Sequence, residues 1–252
     1  MRSTQTFSGL FLAILLAVAP GLKAGEETTV QAGLGLASKY VFRGVEKAAA
    51  STQAELALAR DGFRGSLWAN QPFKPGGGRD LNLGAAYSSP VAECLVIEVK
   101  ATQYWTNGGP AGETRHSFDS GLTVSLVPIK GFTPSLAYFH DFRLRADTTL
   151  GGLAYSVPLT GLGTFLDLNF FAGCTAGENW RPDSTGRPRR DGYGYWGAEA
   201  NLPYSLGYLV PHATLVTGLH YTNTKGRSAT NGPFGLSGGQ NFWLTLGVNL
   251  DF

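Results

Sequence analysis

Gly239-Gln240-Asn241-Phe242-Trp243-Leu244-Thr245-Leu246-Gly247-Val248-Asn249-Leu250-Asp251-Phe252 closes the chain. Phe242, Leu244, Leu246, Val248, Leu250 and Phe252 alternate with Trp243, Thr245, Gly247, Asn249 and Asp251. Successive side chains of a strand point to opposite faces, so the stretch predicts a strand with one wholly apolar face. Two settings suit such a strand: the core edge of a soluble β-sandwich, or the wall of a closed barrel whose apolar set turns outward to lipid. The rest of the sequence decides between them.

The same alternation recurs along the chain. Thr28–Ala37 sets Val30, Ala32, Leu34 and Leu36 against Gln31, Gly33 and Gly35, and leads into Ser38-Lys39-Tyr40-Val41-Phe42-Arg43-Gly44. Gln53–Ala59 and Phe63–Asn70 are joined by Asp61-Gly62, a pair suited to the two-residue hairpin turn with positive φ. Pairing Arg60 with Phe63 then puts Leu56 opposite Leu67 and Ala54 opposite Ala69 on the apolar face, with Glu55 opposite Trp68 and Ala57 opposite Ser66 on the other. Turn chemistry and patterning thus predict one register. Further runs are predicted at Leu81–Tyr87, Cys94–Tyr104, Phe118–Leu126, Ser135–Arg143, Thr149–Val157, Phe165–Gly173, Tyr193–Leu202 and Leu209–Tyr221, which with the closing strand make twelve.

Period two is silent on which way the apolar face points, but the connections are informative. Counted from the N-terminus, the odd ones are mostly long and polar: Arg43 to Ser51, Gln71 to Asp80, Thr106 to Ser117, Cys174 to Gly192 and Thr222 to Gln240. The even ones, such as Asp61-Gly62 and Ser88 to Glu93, are short. Leu144 to Thr148 is shorter than its odd neighbours. Long loops on one rim and tight turns on the other are the pattern of a barrel whose two rims face different compartments. Closure also leaves no unpaired backbone in lipid. The predicted fold is therefore an all-β, 12-stranded antiparallel transmembrane barrel of the outer-membrane kind.

The N-terminus agrees with export. Met1–Ala24 opens with Arg2 and runs apolar from Leu10 to Ala19, as a cleaved signal peptide does, leaving 25–252 as the barrel. Removing Arg2 and Lys23 from 20 basic residues leaves 18 against 18 acids, a neutral balance that argues against nucleic acid as a partner. The 35 glycines and 12% aromatics suit closely packed strands with interface girdles. Cys94 and Cys174 suggest neither a disulfide scaffold nor a zinc site. They fall at opposite ends of the predicted barrel, roughly 25 Å apart, so both are expected to be free.

Tyr40-Val41-Phe42-Arg43-Gly44 and the spacing of Gly62-Phe63, Trp68 and Asn70 resemble the TorF-like porin family, a conserved hypothetical exported family. These motifs cover about the first third of the mature chain. The resemblance implies an outer-membrane barrel with a transport role and no catalytic residues. Phe252, a terminal aromatic on an apolar-out strand, resembles the assembly signal of such barrels, which implies the barrel-assembly machinery and outer-membrane lipid as partners.

Candidate chemistry lies on the inward face. The alternation directs Glu55, Glu98, Asp119, Asp141, Asp167, Glu199 and Asp251 into the lumen, with Arg64, Lys100 and Arg143. It places Trp68, Tyr104, Phe171, Tyr195 and Trp243 near the outer mouth, either to stack on planar solutes or to pack beneath loops folded inward. The loop arginines Arg181, Arg187, Arg189 and Arg190 are candidates for lipopolysaccharide phosphates. A hydrolase needs a nucleophile beside a base. His212 and His220 read as one strand and one face, but eight residues separate them by roughly 27 Å. His140 and Asp141 point to opposite faces, so no catalytic residue, cofactor or metal is expected.

Twelve strands tilted near 40° give a backbone diameter of roughly 24 Å and a free lumen of about 12 Å. The sequence thus predicts a diffusion channel for small hydrophilic solutes or ions. A loop-plugged structural or adhesive barrel is the alternative, and an outer-membrane lipid hydrolase a more distant one.

Overall fold

The computed structural model describes residues 28–74, 79–107, 114–127, 131–177, 191–225 and 239–252. The expected leader, the glycines at 76–78 and the loop arginines Arg181, Arg187, Arg189 and Arg190 lie outside them. Twelve strands close a wholly antiparallel barrel: β1 (Thr28–Ala37), β4 (Ser51–Arg60), β5 (Phe63–Pro72), β6 (Arg79–Ala92), β7 (Leu95–Asn107), β8 (Thr114–Leu126), β9 (Phe132–Asp141), β10 (Ala146–Leu159), β11 (Thr164–Gly177), β12 (Asp191–Ser205), β13 (Ala213–Lys225) and β14 (Gln240–Asp251). Two short strands, β2 (Tyr40–Phe42) and β3 (Val45–Ala48), pair only with each other.

Closure joins the first strand to the last. Leu34 is opposite Val248 and Leu36 opposite Leu246, and Val30 and Phe252 exchange backbone hydrogen bonds at 2.9 and 2.8 Å. The β4–β5 hairpin has the register that the Asp61-Gly62 turn predicts, with Arg60 opposite Phe63, Glu55 opposite Trp68 and Ala54 opposite Ala69. Asp61 and Gly62 have φ values of 51° and 83°, the paired positive angles that turn requires.

The apolar face points out. In β14, Phe242 and Leu244 are 57% and 55% exposed whereas Trp243 between them is 8% exposed. Leu83, Val99, Leu122, Leu136 and Leu219 continue the outward belt across neighbouring strands. Aromatic pairs flank it: Phe63 with Tyr87 and Phe132 with Tyr155 at the rim of short turns, Phe118 with Phe142 and Trp196 with Tyr221 at the other. An apolar band between two aromatic girdles matches the two interfaces of a bilayer.

Three expectations are corrected. The connection from Arg43 to Ser51 holds β3, the second half of a hairpin; its residues have no lipid face and do not alternate, so the apolar pattern that marks the wall is missing. The seventh predicted strand, β9, ends at Asp141 rather than Arg143, because the Asp141 Oδ1 accepts the backbone N–H groups of Arg143 and Leu144 and turns the chain. Arg143 accordingly lies in the turn, where its guanidinium donates to the His116 carbonyl oxygen. The eleventh predicted strand begins at Ala213 rather than Leu209. Pro211 carries no N–H to pair, and His212 takes a φ of 63°. His212 is therefore a turn residue, 6.2 Å from the Phe252 ring, and shares no strand with His220. Most other strands exceed their predicted ends, since polar residues near the rims break the apolar alternation while their backbones keep pairing.

Candidate functional site: a hairpin across the lumen

The β2–β3 hairpin leaves the barrel after β1 and returns to β4, yet its tip touches distant strands. Arg43 and Gly44 form the turn with φ values of 49° and 78°. The Arg43 guanidinium donates to Asp119 Oδ2 on β8 at 2.6 Å. The Thr224 hydroxyl on β13 donates to the Gly44 carbonyl oxygen. An added Cβ at Gly44 would stand 2.6 Å from the Tyr195 Cβ on β12, so glycine lets the turn lie flat against that wall. These contacts fall on both sides of the barrel, and the hairpin consequently spans the lumen.

Burial follows from this path. Tyr40 is 6% exposed, and Tyr193 and Tyr195 form a small core against which Val45 of the hairpin packs with Leu150 and Phe171. Lys39 and Glu46 pair at 3.0 Å at the hairpin base. Lys47 lies 3.8 Å from Asp80 on β6 and 4.7 Å from the Phe42 ring centroid. Burial holds its ammonium below the ordinary lysine value, with the Asp80 carboxylate opposing that shift.

The predicted mouth aromatics meet this hairpin. Trp68 packs on Tyr40 with ring centroids 5.2 Å apart, Tyr104 meets Phe42 edge-on at 5.8 Å, and Phe171 meets Tyr195 at 6.3 Å. Trp243 instead stacks on His220 at 5.0 Å. The Tyr104 hydroxyl donates to Asp119 Oδ2 at 3.0 Å, and Asp119 is only 2% exposed. Asp141 stands directly across from Asp119, but its carboxylate serves Ser117 and the β9–β10 turn.

The other predicted lumen charges sit away from the hairpin. Arg64 bridges to Glu55 at 3.0 Å and to Gln31 at 2.9 Å, beside a cavity of about 170 Å³ that Asn249 and Asp251 also line. Glu98 accepts from Ser88, and Asp167 from Ser156. Lys100 lies on the same face of β7, between Glu98 and Thr102. Glu199 takes Asn169 at 3.5 Å and lies 3.6 Å from His220 Nδ1, while His220 Nε2 contacts Thr245. His140 faces away from Asp141 and meets Asp147 at 2.8 Å on the outer surface, where the Tyr138 hydroxyl also donates to Asp147.

Arg43, Lys47 and Asp80 were missed as site residues because all three fall in stretches read as loops. Their signal was a dense aromatic and basic cluster, Tyr40 to Lys47, in a place where a surface loop has little use for buried rings.

No protein-family model matches the chain, and no curated protein matches it. Solved structures do. The NanC porin superposes with a TM-score of 0.55 at 10% identity over 88% of this chain and 98% of that one. The KdgM porin gives 0.54 at 12% identity over 89% and 99%, and LpxR from Salmonella typhimurium 0.52 at 11% over 87% and 99%. At these identities the likeness is one of fold.

Proposed function

We propose that the chain is a porin-like channel of the outer membrane, in which the β2–β3 hairpin sets the constriction for small hydrophilic solutes or ions. The observation that carries this reading is the hairpin tip seated across the lumen, with Arg43 on Asp119 and Gly44 on Thr224. A bare lumen of about 12 Å would pass solutes nearly indiscriminately. A hairpin built from both charged and aromatic residues narrows it and lines it with chemistry. The outward belt and its two girdles support a place in lipid, the long connections facing outside and the short turns facing the periplasm. Membership of the TorF-like family, leader-directed export and handling of Phe252 by the assembly machinery belong to the same reading. Tyr40–Gly44, which carry part of the resemblance, form β2 and the inward turn.

The burial of Asp119, Tyr193 and Tyr195 beneath the hairpin tip favours a second reading, a barrel shut by its hairpin and serving as a structural surface protein. Planar-bilayer recording separates the two. The intact chain is expected to give small, well-resolved steps, and a variant with Lys39–Ala48 replaced by a short glycine-serine link is expected to give steps several-fold larger. A silent intact chain with a conducting variant favours the closed barrel. Silence from both, with folding confirmed by heat modifiability, overturns the channel.

A further inference from the structure

The wall against which the hairpin tip rests is a formed site in its own right. Asp119 on β8, Tyr104 on β7 and Phe139 on β9 converge on one point of the lumen. The Arg43 guanidinium occupies it, with Nη2 on the carboxylate at 2.6 Å, and with its central carbon 5.4 Å from the Phe139 ring centroid and 4.9 Å from that of Phe42. A carboxylate at the edge of a planar cation and rings at its faces are the two features that recognise guanidinium. Glycine at 121 allows the ring to lie where it does. Gly121 is directly opposite Phe139, and a side chain there would collide with that ring.

A second feature points to a ligand larger than the single contact now made. Thr102 is directly opposite Asp119, is 6% exposed, and has an Oγ1 without a hydrogen-bond partner. On the neighbouring strand, Asp80 Oδ1 and Asn82 Oδ1 are likewise buried and unpartnered. A buried oxygen without a hydrogen bond is costly, and a ligand with several N–H groups supplies the donors that these positions lack.

We infer that Asp119, Tyr104, Phe139 and Thr102 form a binding seat for small guanidinium-bearing solutes, which Arg43 fills from within the chain when the hairpin is closed. The solute enters as Arg43 leaves, taking its carboxylate and its ring. Asp119 supplies charge, Phe139 the stacking face, and the Thr102 hydroxyl an acceptor for a further N–H. Occupancy has to be weak for a conducting pathway, since a solute that binds tightly does not leave. This inference names the solute class of the proposed channel and rests on that reading for passage, though not for binding.

The test vacates the seat. Arg43→Ala barrels in planar bilayers receive millimolar guanidinium or, as a neutral planar control, urea. Guanidinium is expected to reduce the current by about twofold or more, as weak occupancy of a pore site does, with urea inert. The effect is expected to vanish in Arg43→Ala with Asp119→Asn. In parallel, Arg43→Ala barrels in detergent are titrated with arginine and with citrulline, its neutral isostere, and binding is read by ligand-observed nuclear magnetic resonance. Arginine is expected to bind, citrulline not, and Asp119→Asn to abolish binding. Equal responses to the charged and neutral members of either pair overturn the inference, as does block or binding that survives Asp119→Asn. Binding without any conductance leaves the seat standing and removes the channel. Heat modifiability of each variant establishes that its barrel is folded.

Discussion

The Thr224 hydroxyl donates to the Gly44 carbonyl oxygen at 2.5 Å, pinning the tip of a hairpin that follows β1 to a strand 180 residues further along the chain. The hydroxyl has one hydrogen to give and the turn offers one carbonyl to take it, so the contact depends on the Gly44 backbone remaining where it is. Gly44 has a φ of 78° and no room for a Cβ beside Tyr195. Gly44→Val is therefore expected to unseat the hairpin, at a cost of about 1–3 kcal/mol in local strain, while leaving the barrel closed. Trypsin provides the check: cleavage after Arg43 or Lys47 should appear in the folded variant at concentrations that spare the unaltered protein. Equal resistance would show that the turn tolerates the side chain.

Arg43 and Asp119 are a pair of which the carboxylate is buried and the guanidinium mostly so, with side-chain exposures of 2% and 18%. Two charges taken from water are held by each other, and removing one leaves the other uncompensated. Arg43→Ala and Asp119→Asn are each expected to loosen the hairpin by about 3–5 kcal/mol. The double variant should cost clearly less than the two together, since it strands no charge. Protease susceptibility of the hairpin, measured on all four proteins as an opening equilibrium, gives the coupling. Additive effects would mean that the pair contributes little to seating.

How much of this was legible beforehand depends on whether a residue faces lipid. The β4–β5 register was readable because Asp61-Gly62 permits essentially one turn, and because Leu56 and Leu67 had to share an outward face. Leu244 and Trp243 were separable by the same logic. Tyr40 to Ala48 had no such marker: both hairpin faces meet protein, so β2 and β3 mix Val, Phe, Lys and Glu without a clean period. Asp80 was lost for a related reason, since polar residues at strand ends resemble loop. Trp68, Tyr104, Phe171 and Tyr195 meet around the hairpin whereas Trp243 stacks on His220, and what the four pack against was written in a segment that looked like a connection.

Cys94 and Cys174 are both free. Cys94 immediately precedes β7 at the rim of short turns, and Cys174 pairs with Thr149 and Gly194 toward the other rim. A disulfide requires Cα atoms within about 7 Å, a distance that barrel height does not allow. Non-reducing peptide mapping is expected to find two unlinked thiols. A bridge within one chain would contradict the strand order.

Charge selectivity follows from which lumen charges are already neutralised. At the hairpin, Arg43 answers Asp119 and Lys47 answers Asp80. Toward the short turns, Arg64 answers Glu55, whereas Glu98 and Asp167 are met by serine hydroxyls, which hydrogen-bond a carboxylate without cancelling its charge. A narrow lumen with low-dielectric walls focuses the field of such acids on a passing ion. A modest cation preference is therefore expected, read as a reversal potential across a potassium chloride gradient. Glu98→Gln with Asp167→Asn removes two negative charges without breaking an ion pair, and should lower the cation-to-anion permeability ratio by about twofold. Screening offers a second check: the preference should fade as ionic strength rises toward 1 M, where the Debye length shrinks to about 3 Å. An anion-selective potential in the unaltered protein would shift control of permeation from these acids to the basic residues of the hairpin.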